Sequence, residues 1–252
     1  MPIPQEWDLT GKTALITSDK RGWTPFLASA LAEAGATVVV AGSDGSDGPE
    51  AAASISKQGG LARFLATDVT DPDAVANAVY QAVAHYGGVD VLVNNAHADF
   101  GKPFVDVTDE EWHTAMDFNV KSTFLFCRAV GRHMLDRGGG RIVNMTSGLA
   151  VRGLWNSAVA CAGHGAVHQL TSALGLEWAR NNIRVNGIGA GWMTTEPHTE
   201  ESQEEQLVRY LPSRRKGHPT DLVGLLVYLA SDACDFMAGE TVFIDGGALA
   251  HA

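Results

Sequence analysis

Short apolar runs alternate along the chain with longer stretches whose apolar residues recur at helical spacing. Thr13 to Thr17 is brief, apolar and ended by a turn, which predicts a buried strand. Phe26 to Ala34 predicts a helix stopped by Gly35. Thr37 to Ala41 predicts the next strand, followed by a turn-rich piece from Gly42 to Pro49 and a weak helix from Glu50. Further strands are expected over 62–66, 89–93, 141–145, 183–188 and 241–244. Further helices are expected over 71–86, 110–135, 159–179 and 221–230, with Pro72 tolerated in a first turn. Parallel neighbours need crossover connections, so this alternation predicts an α/β chain with a parallel sheet covered on both faces. The stretch 189–219 is long, polar and rich in Glu, Pro and Thr, which reads as a substrate lid within a single domain spanning 1–252.

Composition narrows the classes. The 252 residues are 45% hydrophobic, enough for one sizeable core. No run approaches the roughly 18 apolar residues that a membrane span needs. The start, Met1 to Asp8, has no basic region followed by an apolar run, so no secretory signal is evident and a cytoplasmic location is expected. A net charge of −11 argues against nucleic acid as a partner. Cys127, Cys161 and Cys234 are few, odd in number and widely spaced, which fits neither a disulfide framework nor a zinc site.

Val143-Asn144-Met145-Thr146-Ser147, then Ala160-Cys161-Ala162-Gly163-His164, then Ala166 to Thr171, together resemble the catalytic region of the short-chain dehydrogenase/reductase (SDR) superfamily. The resemblance runs from Leu9-Thr10-Gly11-Lys12 to Phe243-Ile244-Asp245-Gly246-Gly247. It implies a Rossmann-like, doubly wound parallel sheet in three layers, with the ligand cleft at the carboxyl ends of the strands. It implies a homodimer or homotetramer paired through the long helices 110–135 and 159–179. It places the catalytic Ser at Ser147, a Tyr thirteen residues on and a Lys four beyond; this chain has Ala160 and His164 there.

The same resemblance implies cofactor contacts from Thr17, Gly22, Asp68, Val69, Asn94 and Thr195. The family's Thr-Gly-x-x-x-Gly-x-Gly loop reads Thr17-Ser18-Asp19-Lys20-Arg21-Gly22-Trp23-Thr24, so Ser18 and Thr24 replace two glycines. Thr24 is expected to place a branched side chain where backbone and phosphate nearly touch. The loop therefore either holds NAD or NADP less closely or serves as a connection with no cofactor. Gly42-Ser43 carries neither an acid nor an Arg to choose between the two nucleotides.

Positions 160 and 164 lie on one helix face, so the truncation at Ala160 opens space beside His164. An imidazole there suits acid–base work near neutrality, next to Ser147. Asn119 is expected to help polarise a carbonyl, and His97 to stand at the mouth of the cleft. The expected chemistry is therefore Ser147–His164 acid–base catalysis on a small carbonyl or hydroxyl compound, of lyase, hydratase or isomerase type. The alternatives are an NAD(P)-dependent oxidoreductase with a substituted acid/base, or a non-catalytic nucleotide-binding relative. His164 and His168 have the i, i+4 spacing of a metal pair, but His168 sits in ordinary family sequence and no metal is assigned. Trp155 and Trp192 are expected to flank the cleft, and His113, His133 and His198 to face solvent.

Overall fold

A computed structural model describes residues 4–197, 199 and 205–250. Seven strands form one parallel sheet in the order β3-β2-β1-β4-β5-β6-β7. They are β1 (Thr13–Thr17), β2 (Thr37–Gly42), β3 (Ala62–Ala66), β4 (Val91–Asn94), β5 (Gly140–Ser147), β6 (Ile183–Ala190) and β7 (Thr241–Ile244). The helices are α1 (Thr24–Glu33), α2 (Gly48–Lys57), α3 (Pro72–Tyr86), α4 (Asp109–Met116), α5 (Ser122–Arg137), α6 (Ala158–Trp178), α7 (Gln206–Tyr210) and α8 (Thr220–Ala230). The fold is thus the expected single-domain, three-layer α/β arrangement. Strand order reverses between β1 and β4, and a cleft opens beyond their carboxyl ends.

Period-2 alternation in the strands feeds both layers. Ala14 and Ile16 of β1 join Val38 and Val40 of β2 under Leu27 and Leu31 of α1, Ile55 of α2, and Leu222 and Leu226 of α8. Leu15 and Val39, one residue out of phase, face the other layer, with Val75 and Val79 of α3, Phe126 and Val130 of α5, and Trp178 of α6. The strands read as continuous apolar runs because both faces are covered.

Three local features differ from the sequence expectation. The stretch 110–135 is not one helix: a π turn over Asp117–Lys121 separates α4 from α5. Two hydroxyls act on the backbone there, Ser122 Oγ donating to Phe118 O at 2.5 Å and Thr123 Oγ1 to Asn119 O at 3.4 Å. Within 189–219, β6 continues to Ala190 and the short α7 forms. The backbone of Trp192–Thr194 pairs with Gly217, so the described part of this stretch folds back on itself. His198 lies outside the described residues. His133 does not simply face solvent, since its Nε2 accepts from the Val89 N–H at 3.2 Å.

Two glycines test how tightly the helices meet. A Cβ at Gly175 in α6 would lie 2.3 Å from the Gly239 backbone nitrogen, whereas a Cβ at exposed Gly224 in α8 meets nothing within 4 Å. Gly175→Ala is expected to destabilise the protein by about 1–3 kcal/mol through overpacking against backbone. Gly224→Ala is expected to stabilise it by about 0.5–1 kcal/mol through helix propensity. Urea denaturation of both variants checks this; equal shifts in one direction would refute the packing assignment.

Candidate active site

The loop after β1 is held by its own charges. Asp19 is buried, and its carboxylate accepts from Arg21 N–H at 2.7 Å, Arg21 Nε at 2.7 Å and the His97 N–H at 3.0 Å. The Arg21 guanidinium continues to the Asn95 carbonyl at 2.6 Å and lies 4.0 Å over the Trp23 ring. Thr17 Oγ1 accepts from the N–H groups of Asn95 and Ala96, at 2.9 and 2.8 Å, and ties the end of β1 to the end of β4. Gly22 has φ +77°, a conformation that favours glycine, and a Cβ there would meet Thr195 Cγ2 at 3.3 Å.

The two substituted glycine positions turn their side chains into the protein. Ser18 Oγ reaches the Ala41 carbonyl at 3.4 Å and Ser46 Oγ at 2.8 Å. It occupies space that Gly42 and Gly48 leave: a Cβ on either would lie 2.1 or 2.5 Å from that oxygen. Thr24 is fully buried, and its Oγ1 accepts from Asn95 Nδ2 at 3.2 Å. The expected clash of Thr24 with a phosphate is therefore corrected, because its branched side chain points to Asn95. The Thr24 N–H at the start of α1 is met by Asp47 Oδ2 at 3.1 Å. Burial raises the Asp47 carboxyl above the usual range, and nearby Asp19 adds to the rise.

Two depressions meet over this loop. One, of about 900 Å³, runs along Ser18, Lys20, Ser43, Asp68 and Val69. The other, of about 450 Å³, is lined by Ser147, Ala160, His164, Trp192 and Arg152 among others. Arg21 and His97 line both.

β5, the loop after β4 and α6 together build the floor of the second depression. His164, on α6 one turn beyond Ala160, is buried, and its Nδ1 lies 3.3 Å from Thr146 Oγ1. The Thr146 hydroxyl also donates to the His164 carbonyl at 3.2 Å. With that hydrogen committed, Nδ1 carries the imidazole proton and Nε2 is the basic nitrogen. The His97 ring stacks on His164 with centroids 4.1 Å apart and planes 27° from parallel. Burial lowers the His164 pKa to about 4, with Arg21 adding to the drop. Burial also lowers His97, helped by His164 and Arg21. Both rings are neutral at pH 7. Ser147 Oγ lines the same depression and accepts from the Leu149 N–H at 3.2 Å.

Of the expected residues, the structure brings Ser147, His164 and His97 together, with Gly22 and Thr195 in contact and Asp68 and Val69 along the larger groove. Two expectations are corrected. Asn94 faces the core, donating to Asn144 Oδ1 at 2.8 Å and Cys127 Sγ at 3.2 Å, so it does not reach the cleft. Burial there pushes the Cys127 thiol up to about 12. Asn119 spends both ends of its amide on Ala98, accepting from its N–H at 2.7 Å and donating to its carbonyl at 3.0 Å. It holds the loop after β4 and does not face a substrate carbonyl. Thr17 likewise acts on the β4 backbone. His168 turns to Thr241 Oγ1 at 3.1 Å. Trp192 lines the cleft, while Trp155 is 87% exposed. Sequence reasoning did not single out Thr146 or Arg152; both flank Ser147, and that nearness was the available signal.

This switch-point cleft with its glycine-bearing first turn defines a nucleotide-type α/β site. A family model described as Enoyl-(Acyl carrier protein) reductase matches residues 19–248. The chain belongs to the short-chain dehydrogenase/reductase superfamily. It is 34% identical over 251 residues to gluconate 5-dehydrogenase of Gluconobacter oxydans (strain 621H), covering 98% of each chain. It is 34% identical over 254 residues to 2-dehydro-3-deoxy-D-gluconate 5-dehydrogenase of Dickeya dadantii (strain 3937), covering 99% of this chain and 100% of that one. A crystal structure of a gluconate 5-dehydrogenase from Burkholderia cenocepacia J2315, in complex with NADP and tartrate, superposes with a TM-score of 0.89 at 32% identity, covering 98% of each chain.

These relatives are dehydrogenases, which overturns the lyase, hydratase or isomerase expectation and the doubt about NAD(P) binding. The lyase-type expectation rested on Ala160 and His164 at the family's Tyr and Lys positions, and the doubt about the nucleotide on Ser18 and Thr24, whose side chains turn into the protein. Among the described residues no helix is long and apolar enough to cross a membrane.

The histidine pair makes stability depend on pH with a definite sign. His164 has a folded-state pKa of about 4 against an ordinary 6.5. Above 6.5 neither folded nor unfolded form binds the proton. Between 6.5 and about 4 only the unfolded chain takes it up, so stability falls as pH drops through that window. The limiting slope is about 1.4 kcal/mol per pH unit for one histidine. His164→Gln is expected to flatten the wild-type slope between pH 6.5 and 4.5 in urea denaturation. Parallel slopes for the two proteins would show that His164 is not buried neutral.

Proposed function

We propose that this chain is an NADP-dependent oxidoreductase that interconverts a secondary hydroxyl and a ketone on a polyhydroxylated compound, of the sugar-acid kind named for its relatives. Ala160 and His164 stand in for the family's Tyr and Lys, and His164 carries the proton. The observation that supports this best is the Thr146–His164–Ser147 arrangement under the cleft, with the neutral imidazole facing the space beside Ala160. The groove fits a dinucleotide because Ser18 and Thr24 are turned inward and Asp19 is neutralised by Arg21. Asp68, Val69 and Ser43 would hold the nucleoside end, and Gly22 and Thr195 the region nearer the cleft. Lys20 lines the same groove and stands against Gly45, just past Ser43, which favours the extra phosphate of NADP.

A bound NADP would supply the acceptor or donor of the hydride. The protein's part is to hold and move a proton. Ser147 Oγ donates to the substrate oxygen. In the oxidation direction His164 Nε2 takes the hydroxyl proton, while Nδ1–H stays on Thr146. Neutral His97, stacked on His164, keeps water from that face. In the reduction direction the imidazolium returns the proton, and positive charge there is disfavoured by burial, which makes it a strong acid.

Expected results are binding of NADPH at micromolar concentration, read by its fluorescence, and NADPH oxidation with a 5-keto sugar acid. His164→Ala is expected to lower kcat by about 10²–10⁴-fold with NADPH affinity within a few-fold of wild type. No binding at millimolar NADPH, or an unchanged kcat in His164→Ala, would sink the reading. We also propose a homodimer or homotetramer paired across α5 and α6, whose Phe124, Leu135 and Leu176 are exposed. Light scattering after gel filtration reads this directly: a monomer mass at micromolar concentration would rule it out.

A further inference from the structure

The cleft contains two cations in different electrostatic states. Arg21 is neutralised by buried Asp19 at 2.7 Å. Arg152, half-buried on the opposite wall, has no carboxylate partner among the described residues. Its Nη1 donates to the Ala248 carbonyl at 3.0 Å and its Nη2 to the Tyr210 hydroxyl at 2.5 Å. The guanidinium carbon lies 5.2 Å over the Tyr210 ring. These partners orient the fork but bring no negative charge. Neither acid lining this depression forms an ion pair with Arg152, and Asp245 lies in the turn that supplies the Ala248 carbonyl. Asp245 accepts from the N–H groups of Gly247 and Leu249, at 2.9 and 2.7 Å, and Asp99 is an exposed side chain near His97. A planar guanidinium fixed on neutral acceptors, in a protein of net charge −11, is a site built for an anion that arrives from outside.

We infer that Arg152 binds the carboxylate of the substrate and so makes the enzyme select an acid over the neutral polyol of the same chain length. This rests on the oxidoreductase reading for the identity of the cleft. The Arg152 guanidinium has two supports drawn from distant parts of the chain: the α7 tyrosine and the loop after β7. Trp192, edge-on to Tyr210 with centroids 6.4 Å apart, closes the wall beside it. The reacting hydroxyl would then lie toward Ser147 and His164, with the carboxylate at the Arg152 end of the same cleft.

The test is calorimetric binding of D-gluconate and D-glucitol in saturating NADP+, using wild type, Arg152→Gln and Arg152→Lys. Wild type is expected to bind gluconate at least tenfold more tightly than glucitol. Arg152→Gln should lose that preference, with glucitol affinity within twofold of wild type, and Arg152→Lys should restore part of it. Equal gluconate affinity in wild type and Arg152→Gln overturns the proposal. So does a parallel loss for both ligands, which would mark Arg152 as structural, or a wild type that binds neither. NADPH fluorescence titration of the same proteins separates the two readings. Normal nucleotide binding with no gluconate preference removes the carboxylate site alone, while absent nucleotide binding removes the oxidoreductase reading.

Discussion

The Thr17 hydroxyl, accepting from two consecutive N–H groups after β4, is the link on which the rest of the site depends. Strand order reverses between β1 and β4, so no neighbouring connection fills the space beyond their ends. That opening makes the cleft, and it also leaves the chain after β4 without a ladder partner. Thr17 supplies one. Asp19 supplies another through the His97 N–H, and Asn119 a third through Ala98. The backbone that carries His97 is therefore fixed on three sides, and that fixes the ring stacked on His164.

The side chains of the first turn find partners across the sheet. Ser18 takes room left by glycines at 42 and 48, and Thr24 satisfies Asn95. Asp19 would be a liability facing a phosphate, yet its charge is spent on Arg21 and on backbone donors. A buried polar group needs a partner far more than it needs a particular identity, which is why such a set is stable.

Ala160 and His164, one helical turn apart, line the same depression. Burial keeps that imidazole neutral and Thr146 sets its tautomer, so a base is available with its lone pair toward the cleft. Of the two arginines that line the depression, Arg21 is paired with Asp19, while Arg152 has no carboxylate partner among the described residues.

Strand and helix positions were legible in the sequence because local periodicity records which face of an element is buried. β1 and β3 match their predicted spans, β7 does too, and the ends of most others shift by one or two residues. Ser147 and His164 were placed in one cleft by the family resemblance, and both line the same depression. What the sequence could not carry was direction across elements. Asn94 and Asn119 resemble cofactor and catalytic residues, yet Asn144 and Ala98, far along the chain or in another layer, claim their amides. Ser18 and Thr24 read as obstacles until β2 and β4 gave them partners. Arg152 and Tyr210 are 58 residues apart, and only the packing of α7 brings the tyrosine hydroxyl to the guanidinium. Pattern along the chain determined the layers; the packing of distant elements decided which polar groups were left to meet a ligand.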